Sequence, residues 1–416
     1  MKQVWILNHY AQEPGGPGGT RHYHLSEHLE PCGWQASVIA ASVELNTGRQ
    51  RLAAHEATRH ERIGNVPFLW VRTPAYRGNG GGRMLNMLAF AWRAIFPRTT
   101  RGLPRPNAVI GSSVHPFAAV AGACLARRFD VPFVFEVRDL WPQTLIDLGR
   151  LKEGAFLTWV FRQLEAWLYR RAARIVVLLP RAWEYIVPLG IPKDRIVWIP
   201  NGVDLALFPR SPHPLRAPSE PFTLMYFGAH GQANGLDNVL QAMKVVQDQQ
   251  GCRRLVLRMI GDGPLKPALM LRARELGLNN IRFEPPVPKS RIPMLAAQAD
   301  AFVFSLTDAP VFRYGISSNK LFDFMASERP VVFSCDAANN PVRDAGAGFT
   351  VEVGDAAGLA QSILEMAAAS PEKRRQMGAA GREYVEQNHG FAQLSERLAR
   401  VLDEACAQHA RWCEAA

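Results

Sequence analysis

The sequence predicts an α/β protein of two doubly wound, parallel-sheet domains. Its 416 residues exceed one ordinary core and divide naturally into two of roughly 200. Short β-branched runs alternate with amphipathic stretches along the whole chain. Near the midpoint the alternation stops at Phe208-Pro-Arg-Ser-Pro-His-Pro-Leu-Arg-Ala-Pro-Ser-Glu-Pro221. Neither a helix nor a central strand accepts that proline density, so it is read as the linker.

In the first half the strands are expected near 4–8, 36–40, 68–71, 108–112, 133–137, 175–178 and 196–199. In the second they are expected near 222–228, 254–260, 281–283, 301–305, 331–333 and 349–352. Amphipathic helices are expected between them, as at Arg21–Glu30, Gln241–Gln250 and Ser290–Ala299. The expected domains are 1–205 and 206–394. A last helical stretch, about 371–412, is long enough for its end (about 395–416) to return to the first domain.

Apolar content of 48% and charged content of 20% describe a globular protein. No run reaches the ~18 apolar residues that span a bilayer. Met1-Lys2-Gln3 leads straight into Val4-Trp5-Ile6-Leu7, a core strand, so no signal peptide is expected. Six scattered cysteines, with no C-x-x-C pair, read as reduced cytosolic thiols without a zinc site. Residues 1–200 hold 25 bases and 14 acids, which is the entire net charge of +11. A polyanionic partner of that half is expected: nucleic acid, a phospholipid surface or a diphosphate-bearing acceptor.

Glu13-Pro-Gly-Gly-Pro-Gly18-Gly19-Thr-Arg21 joins the first strand to a helix, where backbone amides and the helix dipole favour a phosphate. Arg21 stands where a dinucleotide fingerprint has its last glycine, so a dehydrogenase is disfavoured. A surface loop is the plainer reading. Gly261-Asp262-Gly263-Pro264 follows another strand at the edge where α/β proteins place nucleotides. Asn201-Gly-Val-Asp204 reads as a turn. Near the end of the second half comes Arg313-Tyr-Gly315-Ile-Ser-Ser318-Asn319-Lys320-Leu321-Phe-Asp323. Serine and asparagine caps are expected to start its helix, with Lys320 and Asp323 on one face. A cation beside a helix N-terminus suits a diphosphate, and the carboxylate suits ribose hydroxyls; a solvated Lys–Asp pair is the bland alternative.

Glu136-Val-Arg138-Asp139 ends a strand, which fits a site or a structural ion pair. His115 lies at a similar height, as a sugar contact or a satisfied core histidine. His24 and His28 have metal spacing but no third ligand, and are taken as surface residues. No D-x-D pair occurs, so side-chain cations rather than a divalent ion are expected to neutralise a diphosphate. Between Arg72 and Arg105 lie seven arginines, no acid, and Met84, Leu85, Met87, Leu88, Phe90, Trp92, Ile95 and Phe96. That segment reads as an interfacial membrane helix or as a buried helix with a basic loop. Trp159 to Arg174 repeats the mixture.

Four strings in this order resemble glycosyltransferase family 4, over essentially the whole chain. They are Phe133-Val-Phe-Glu-Val-Arg-Asp-Leu-Trp-Pro142, Ile199-Pro-Asn-Gly-Val-Asp204, Ile260-Gly-Asp-Gly-Pro264 and Asn319-Lys-Leu-Phe-Asp-Phe-Met-Ala326. The closer likeness is to its bacterial O-antigen and capsule branch, which includes L-fucosamine transferases. The resemblance implies the GT-B fold, two Rossmann-like domains facing across a cleft, the first for the acceptor and the second for the nucleotide-sugar. It implies retention of anomeric configuration without a metal or other cofactor.

By the same resemblance Asp323 closes the family's E-x7-E motif as ribose ligand, while Gly315 stands where the opening Glu is expected. The family's diphosphate cations are missing from Ala229-His230-Gly-Gln-Ala-Asn-Gly235, so Lys320 and Arg313 are expected to replace them. Gly18, Gly19, Gly228, His230, Gly261, Asp262, Gly263, Val287, Ser318, Asn319 and Leu321 complete the expected donor contacts. His115, Glu136, Arg138 and Asp139 are expected to orient the sugar. The implied partners are a nucleotide-sugar, most simply a UDP-sugar, a lipid-linked saccharide and an anionic membrane surface, with the protein peripheral on the cytoplasmic face. A non-hydrolysing sugar-nucleotide 2-epimerase shares the architecture but needs no membrane face. A nucleic-acid-binding protein would share the charge, but no recognition motif is present.

Overall fold

The computed structural model describes residues 1–15, 19–45, 47–76, 78, 80–113, 115–210, 221–249 and 255–415. Gly18 and most of the expected linker fall outside these. The chain divides into two compact units, one of Met1–Asn201 with Phe391–Ala416, the other of Gly202–Gly390.

The first unit is built on eight strands: β1 Lys2–Leu7, β2 Trp34–Ala41, β3 Thr58–Ile63, β4 Val66–Val71, β5 Ala108–Ser112, β6 Phe133–Val137, β7 Arg174–Val177 and β8 Ile196–Trp198. Their order is β3-β4-β2-β1-β5-β6-β7-β8. From β4 to β8 every pairing is parallel, and the strands read as nearly continuous apolar runs because helices cover both faces. β3 corrects the expectation of a wholly parallel sheet. It pairs antiparallel with β4 across a two-residue turn, Gly64-Asn65. Its string Thr-Arg-His-Glu-Arg-Ile has no apolar face to betray it, as suits an exposed edge strand.

The second unit holds β9 Phe222–Phe227, β10 Leu255–Ile260, β11 Ile281–Glu284, β12 Ala301–Ser305, β13 Val331–Ser334 and β14 Gly348–Val351. The order is β11-β10-β9-β12-β13-β14, all parallel. Numbered from its own first strand this is 3-2-1-4-5-6, the doubly wound order of dinucleotide-binding sheets. In its core Phe302 stacks on Phe324 and Phe304 on Phe333, and Phe304 meets Phe324 edge to face.

Three helical expectations change. Ser290–Ala299 forms a helix only over Ile292–Ala296, with Pro293 in its first turn. The stretch 371–412 is two helices, Pro371–Asn388 and Phe391–Ala415. They break where the His389 carbonyl accepts the Val203 amide at 2.9 Å and the His389 ring stacks on Phe322 at 3.7 Å. His24 is no surface residue: it is 4% exposed and stacks on Phe391, where the last helix joins the first unit. Among the described residues no helix is long and apolar enough to cross a membrane.

Candidate functional site

Each sheet reverses direction beside its first strand, and the loops leaving the two neighbouring strands there diverge. In the second unit that place lies past β9 and β12. Gly228 ends β9 at φ +144°, and a Cβ on Gly261 would lie 2.0 Å from the Gly228 carbonyl oxygen, so the two strand ends touch through glycine alone. A Cβ on Gly263 would meet the His230 carbonyl at 2.5 Å, which folds the Gly-Asp-Gly turn onto the loop after β9. The stem of Lys320 crosses Gly228, where a Cβ would stand 3.3 Å from it.

The Lys320 ammonium has two neutral partners. Tyr226 gives its own hydroxyl proton to Ala229 O at 2.7 Å and accepts from Lys320 Nζ at 3.0 Å. Asn234 donates Nδ2 to Ala229 O at 2.8 Å, which turns its Oδ1 to Lys320 at 2.5 Å. The ammonium also stands 4.8 Å from the Phe304 ring centre. Among the described residues one of its three protons is unspoken for. Burial lowers Lys320 to about 7, since no acid offsets the loss of water.

Around this cation the N–H groups of Asn319 and Lys320 begin the helix Asn319–Ala326 and have no acceptor within it. Ser318 is the N-cap residue but makes no side-chain cap, contrary to expectation. His230 is fully buried with both ring nitrogens unpartnered, and burial lowers it to about 4. Lys266, which the sequence reading missed, ties the strand ends by donating to Gly261 O at 2.7 Å and Glu284 O at 2.8 Å.

Asp323 is 5% exposed and does not pair with Lys320. Its Oδ1 has no hydrogen bond, the nearest cation being Lys289 Nζ at 3.9 Å, and burial raises the carboxyl above its ordinary range. A buried carboxylate oxygen with no donor fits a pair of ligand hydroxyls.

Other expected donor contacts fare differently. Leu321 is a core residue, wholly buried, and its N–H is given to Ser318 O at 3.1 Å. Asp262 is exposed and accepts from the Gly263 amide at 2.8 Å, so it shapes the turn. Val287 packs half-buried against the core. Arg313 is exposed, lies over Tyr314 at 4.7 Å and donates to its hydroxyl at 2.6 Å. It lines a cavity of about 190 Å3 with Leu306, Asp336 and Val353, toward β13 and β14, and no contact joins it to Lys320 among the described residues.

In the first unit the reversal lies past β1 and β5, and it is packed with polar side chains. Glu136 sits at its centre, 3% exposed. It accepts Arg21 Nε at 2.9 Å and His22 Nε2 at 2.6 Å, and Arg21 continues to the carbonyls of Ile199, at 3.0 Å, and Pro200. Asn8 fixes the charge state. Its Oδ1 accepts the Tyr10 amide at 3.0 Å, so its Nδ2 donates to His22 Nδ1 at 2.6 Å, leaving His22 neutral with its proton on Nε2. Arg21 is therefore the counter-ion. Burial opposes the charge on Glu136, yet the His22 and Arg21 donors hold it well below the usual carboxylate range. This corrects Glu136 as a sugar contact: both oxygens are committed to the helix Arg21–Glu27. Arg138 instead lies beside Gly19, whose Cβ would stand 3.5 Å from its guanidinium, and Asp139 is exposed at the strand end.

His115 caps the helix Pro116–Phe129 and is fully buried, with both ring nitrogens unpartnered. Its ring stands 4.7 Å from that of His9, a residue the sequence reading passed over. Asn86 gives its amide to Pro74 O at 2.6 Å and accepts His9 Nε2 at 2.6 Å. His9 thus keeps a bare, unpartnered Nδ1, and burial lowers it to about 3. Two buried imidazoles with unfilled polar atoms at a switch point fit a hydroxyl-rich ligand.

Comparison with known proteins follows the same division. Residues 16–202 match the family described as "Glycosyl transferase 4-like domain", and residues 221–369 that described as "Glycosyl transferases group 1". "Putative colanic acid biosynthesis glycosyl transferase WcaI" of Escherichia coli is 22% identical over 262 residues, 59% of this chain and 62% of that relative. The chain thus aligns with less than two thirds of that relative's length. Sucrose-phosphate synthase from Thermosynechococcus elongatus superposes over 98% of this chain and 100% of its own, with a TM-score of 0.74 at 17% identity. HepE from Anabaena, in complex with UDP and glucose, covers 97% and 99% with a TM-score of 0.66 at 16% identity. These structures share the fold.

The buried Glu136–Arg21 pair has a measurable consequence. Glu136→Ala leaves a guanidinium buried without its counter-ion, at a cost of about 3–5 kcal/mol. The thermal transition of the first unit should fall markedly. A variant that melts like the parent would return Glu136 to the ligand-facing residues.

Proposed function

Because the chain belongs to the glycosyltransferases built of a 4-like and a group 1 domain, we propose that it moves a sugar from a nucleotide-sugar to a lipid-linked saccharide, with retention, in cell-surface polysaccharide synthesis. The observation that carries this is Lys320: a half-buried side chain whose ammonium has only neutral partners, beside a helix N-terminus at a doubly wound switch point. Such a charge wants an anion, and a diphosphate supplies one. Asp323 then takes the ribose hydroxyls. The UDP bound by HepE supports a UDP-sugar, and the colanic acid relative supports a surface polysaccharide.

The chemistry is a single exchange of bonds at the anomeric carbon. The bond to the diphosphate oxygen breaks, the bond to the acceptor hydroxyl forms on the same face, and that hydroxyl's proton passes to the departing oxygen. Charge grows on that oxygen, where Lys320 and the Asn319 and Lys320 amides lower the barrier electrostatically. With the cation built in and no D-x-D pair, no divalent ion is required. His115, Arg138 and Asp139 are assigned to the sugar and acceptor hydroxyls.

The first unit meets the cytoplasmic membrane surface. The helix Gly81–Ala94 buries Met87 and Phe90 but leaves Leu85, Leu88 and Trp92 exposed, and Phe156 and Trp159 are exposed on a second helix. Arg83 and Arg93 on the first of these helices add charge that attracts anionic lipid.

Three outcomes are expected. Asp323→Ala should fold normally and lose about 1.5–3 kcal/mol of UDP-sugar binding by calorimetry; unchanged affinity removes Asp323 from the site. Activity should persist in excess EDTA, and an enzyme silenced by chelation and restored by Mg2+ would sink the proposed electrostatics. The third concerns pH. A bound diphosphate favours the ammonium and raises the Lys320 pKa from about 7. Affinity should therefore be level below about pH 6 and fall by up to about tenfold per pH unit above about pH 7. A flat profile to about pH 9 would mean that Lys320 does not touch the phosphates.

A further inference from the structure

Beyond β4 the first unit contains a cavity of about 710 Å3 that the donor chemistry does not use. We propose that it seats the diphosphate of the lipid-linked acceptor, with Phe96 and Trp92 receiving the start of the lipid chain. This rests on the reading of the chain as a transferase acting on such an acceptor.

Three arginines line the cavity, Arg72, Arg93 and Arg98, with His55 and Thr99. Arg72 is fixed by its Nη1, which donates to the carbonyls of Leu52, Ala53 and Glu56. Arg93 Nη1 donates to Arg72 O at 2.7 Å, which braces the second guanidinium against the first. Arg98 is exposed, and its side chain has no hydrogen bond or ion pair among the described residues. Glu56, the acid in the wall, is neutralised outside it by Arg59, whose Nε lies at 3.1 Å. Carbonyl partners do not cancel a guanidinium's charge, so the cavity is a cationic hollow whose donors suit phosphate oxygens.

Two further observations narrow the ligand. Phe96 belongs to the wall and meets Trp92 edge to face at 5.3 Å, and the two are 43% and 64% exposed. An anion-binding hollow that opens onto an exposed aromatic pair matches a molecule with a phosphate head and an apolar tail. Position does the rest. The cavity adjoins Val71 and Arg72, at the carboxyl end of β4, the same sheet edge that carries His9 and His115. β4 is two strands from β1, about 10 Å at the usual strand spacing. A saccharide anchored by its diphosphate in the cavity would thus carry its sugars toward the unpartnered histidines. A bulk phospholipid needs no such proximity.

Farnesyl diphosphate serves as a soluble probe, titrated into the full chain with excess UDP present to occupy any nucleotide site. Saturable, salt-sensitive binding is expected, weakened at least tenfold in Arg93→Ser/Arg98→Ser. Both residues are exposed, so the melting temperature should hold. Phe96→Ser should weaken farnesyl diphosphate and leave inorganic pyrophosphate unchanged. Binding to the double variant equal to that of the parent overturns the proposal. So does a double variant that keeps farnesyl diphosphate but no longer sediments with phosphatidylglycerol vesicles, since the cavity would then be a general headgroup surface. A separate thermal-shift titration of the parent with UDP-sugars tests the transferase reading; its failure there is distinct from failure of the cavity.

Discussion

Right-handed crossovers impose the arrangement on which the rest depends. A sheet of parallel strands joined by right-handed connections covers both faces with helices only if the winding reverses once. The first unit reverses between β1 and β5, the second between β9 and β12. There the loops part, and backbone and side-chain polar groups that apolar packing would elsewhere exclude are left facing a gap. Asn8, His9, His115 and Glu136 gather at one reversal, and His230 and Lys320 at the other. These polar clusters are products of chain handedness before they are products of chemistry.

The two units accommodate such groups by opposite means. In the first, one carboxylate meets one guanidinium, and Asn8 holds His22 neutral, so the cluster carries little net charge and every oxygen of Glu136 is committed. Removing either ion exposes the full desolvation cost of the other, so this arrangement is structural cement. In the second, Lys320 meets a phenol and an amide that stabilise its charge without cancelling it. Its lowered pKa is the mark of that deficit. The same physics therefore separates a group whose charge is balanced within the fold from one whose charge is not.

Legibility in the sequence followed locality. Parallel strands buried on both faces are continuous apolar runs, and thirteen of the fourteen could be placed. β3 escaped because its stability comes from pairing with β4 and from the Trp70 indole donating to Glu61 at 2.6 Å, not from an apolar face. The placing of Lys320 and Asp323 in the first turns of a helix was legible because the helix start and its charges lie within five residues of one another. Glu136 was misjudged because its partners lie on a helix 114 and 115 residues away, and no local pattern records such a pairing. Leu321 was misjudged for the opposite reason: motif position stood in for direction, and its side chain points into the core.

The uneven charge of the chain follows from how its arginines are used. Many in the first unit cap backbone carbonyls instead of meeting acids: Arg72 on Ala53, Arg93 on Arg72, Arg105 on Phe129, Arg128 on Ile95 and Arg195 on Tyr169. A guanidinium bound to a carbonyl satisfies the hydrogen-bonding needs of a loop or helix end and keeps its whole charge. A salt bridge would satisfy the donor and cancel the field. By choosing carbonyls, the first unit ties its loops together while its surface potential stays positive, and that potential decays over only about 8–10 Å at physiological salt. The field can therefore act on an anion only where the protein nearly touches it. Beside Arg93 and Arg98 the exposed rings of Trp92 and Phe96 meet edge to face at 5.3 Å, so there charge and apolar exposure lie within that range of each other.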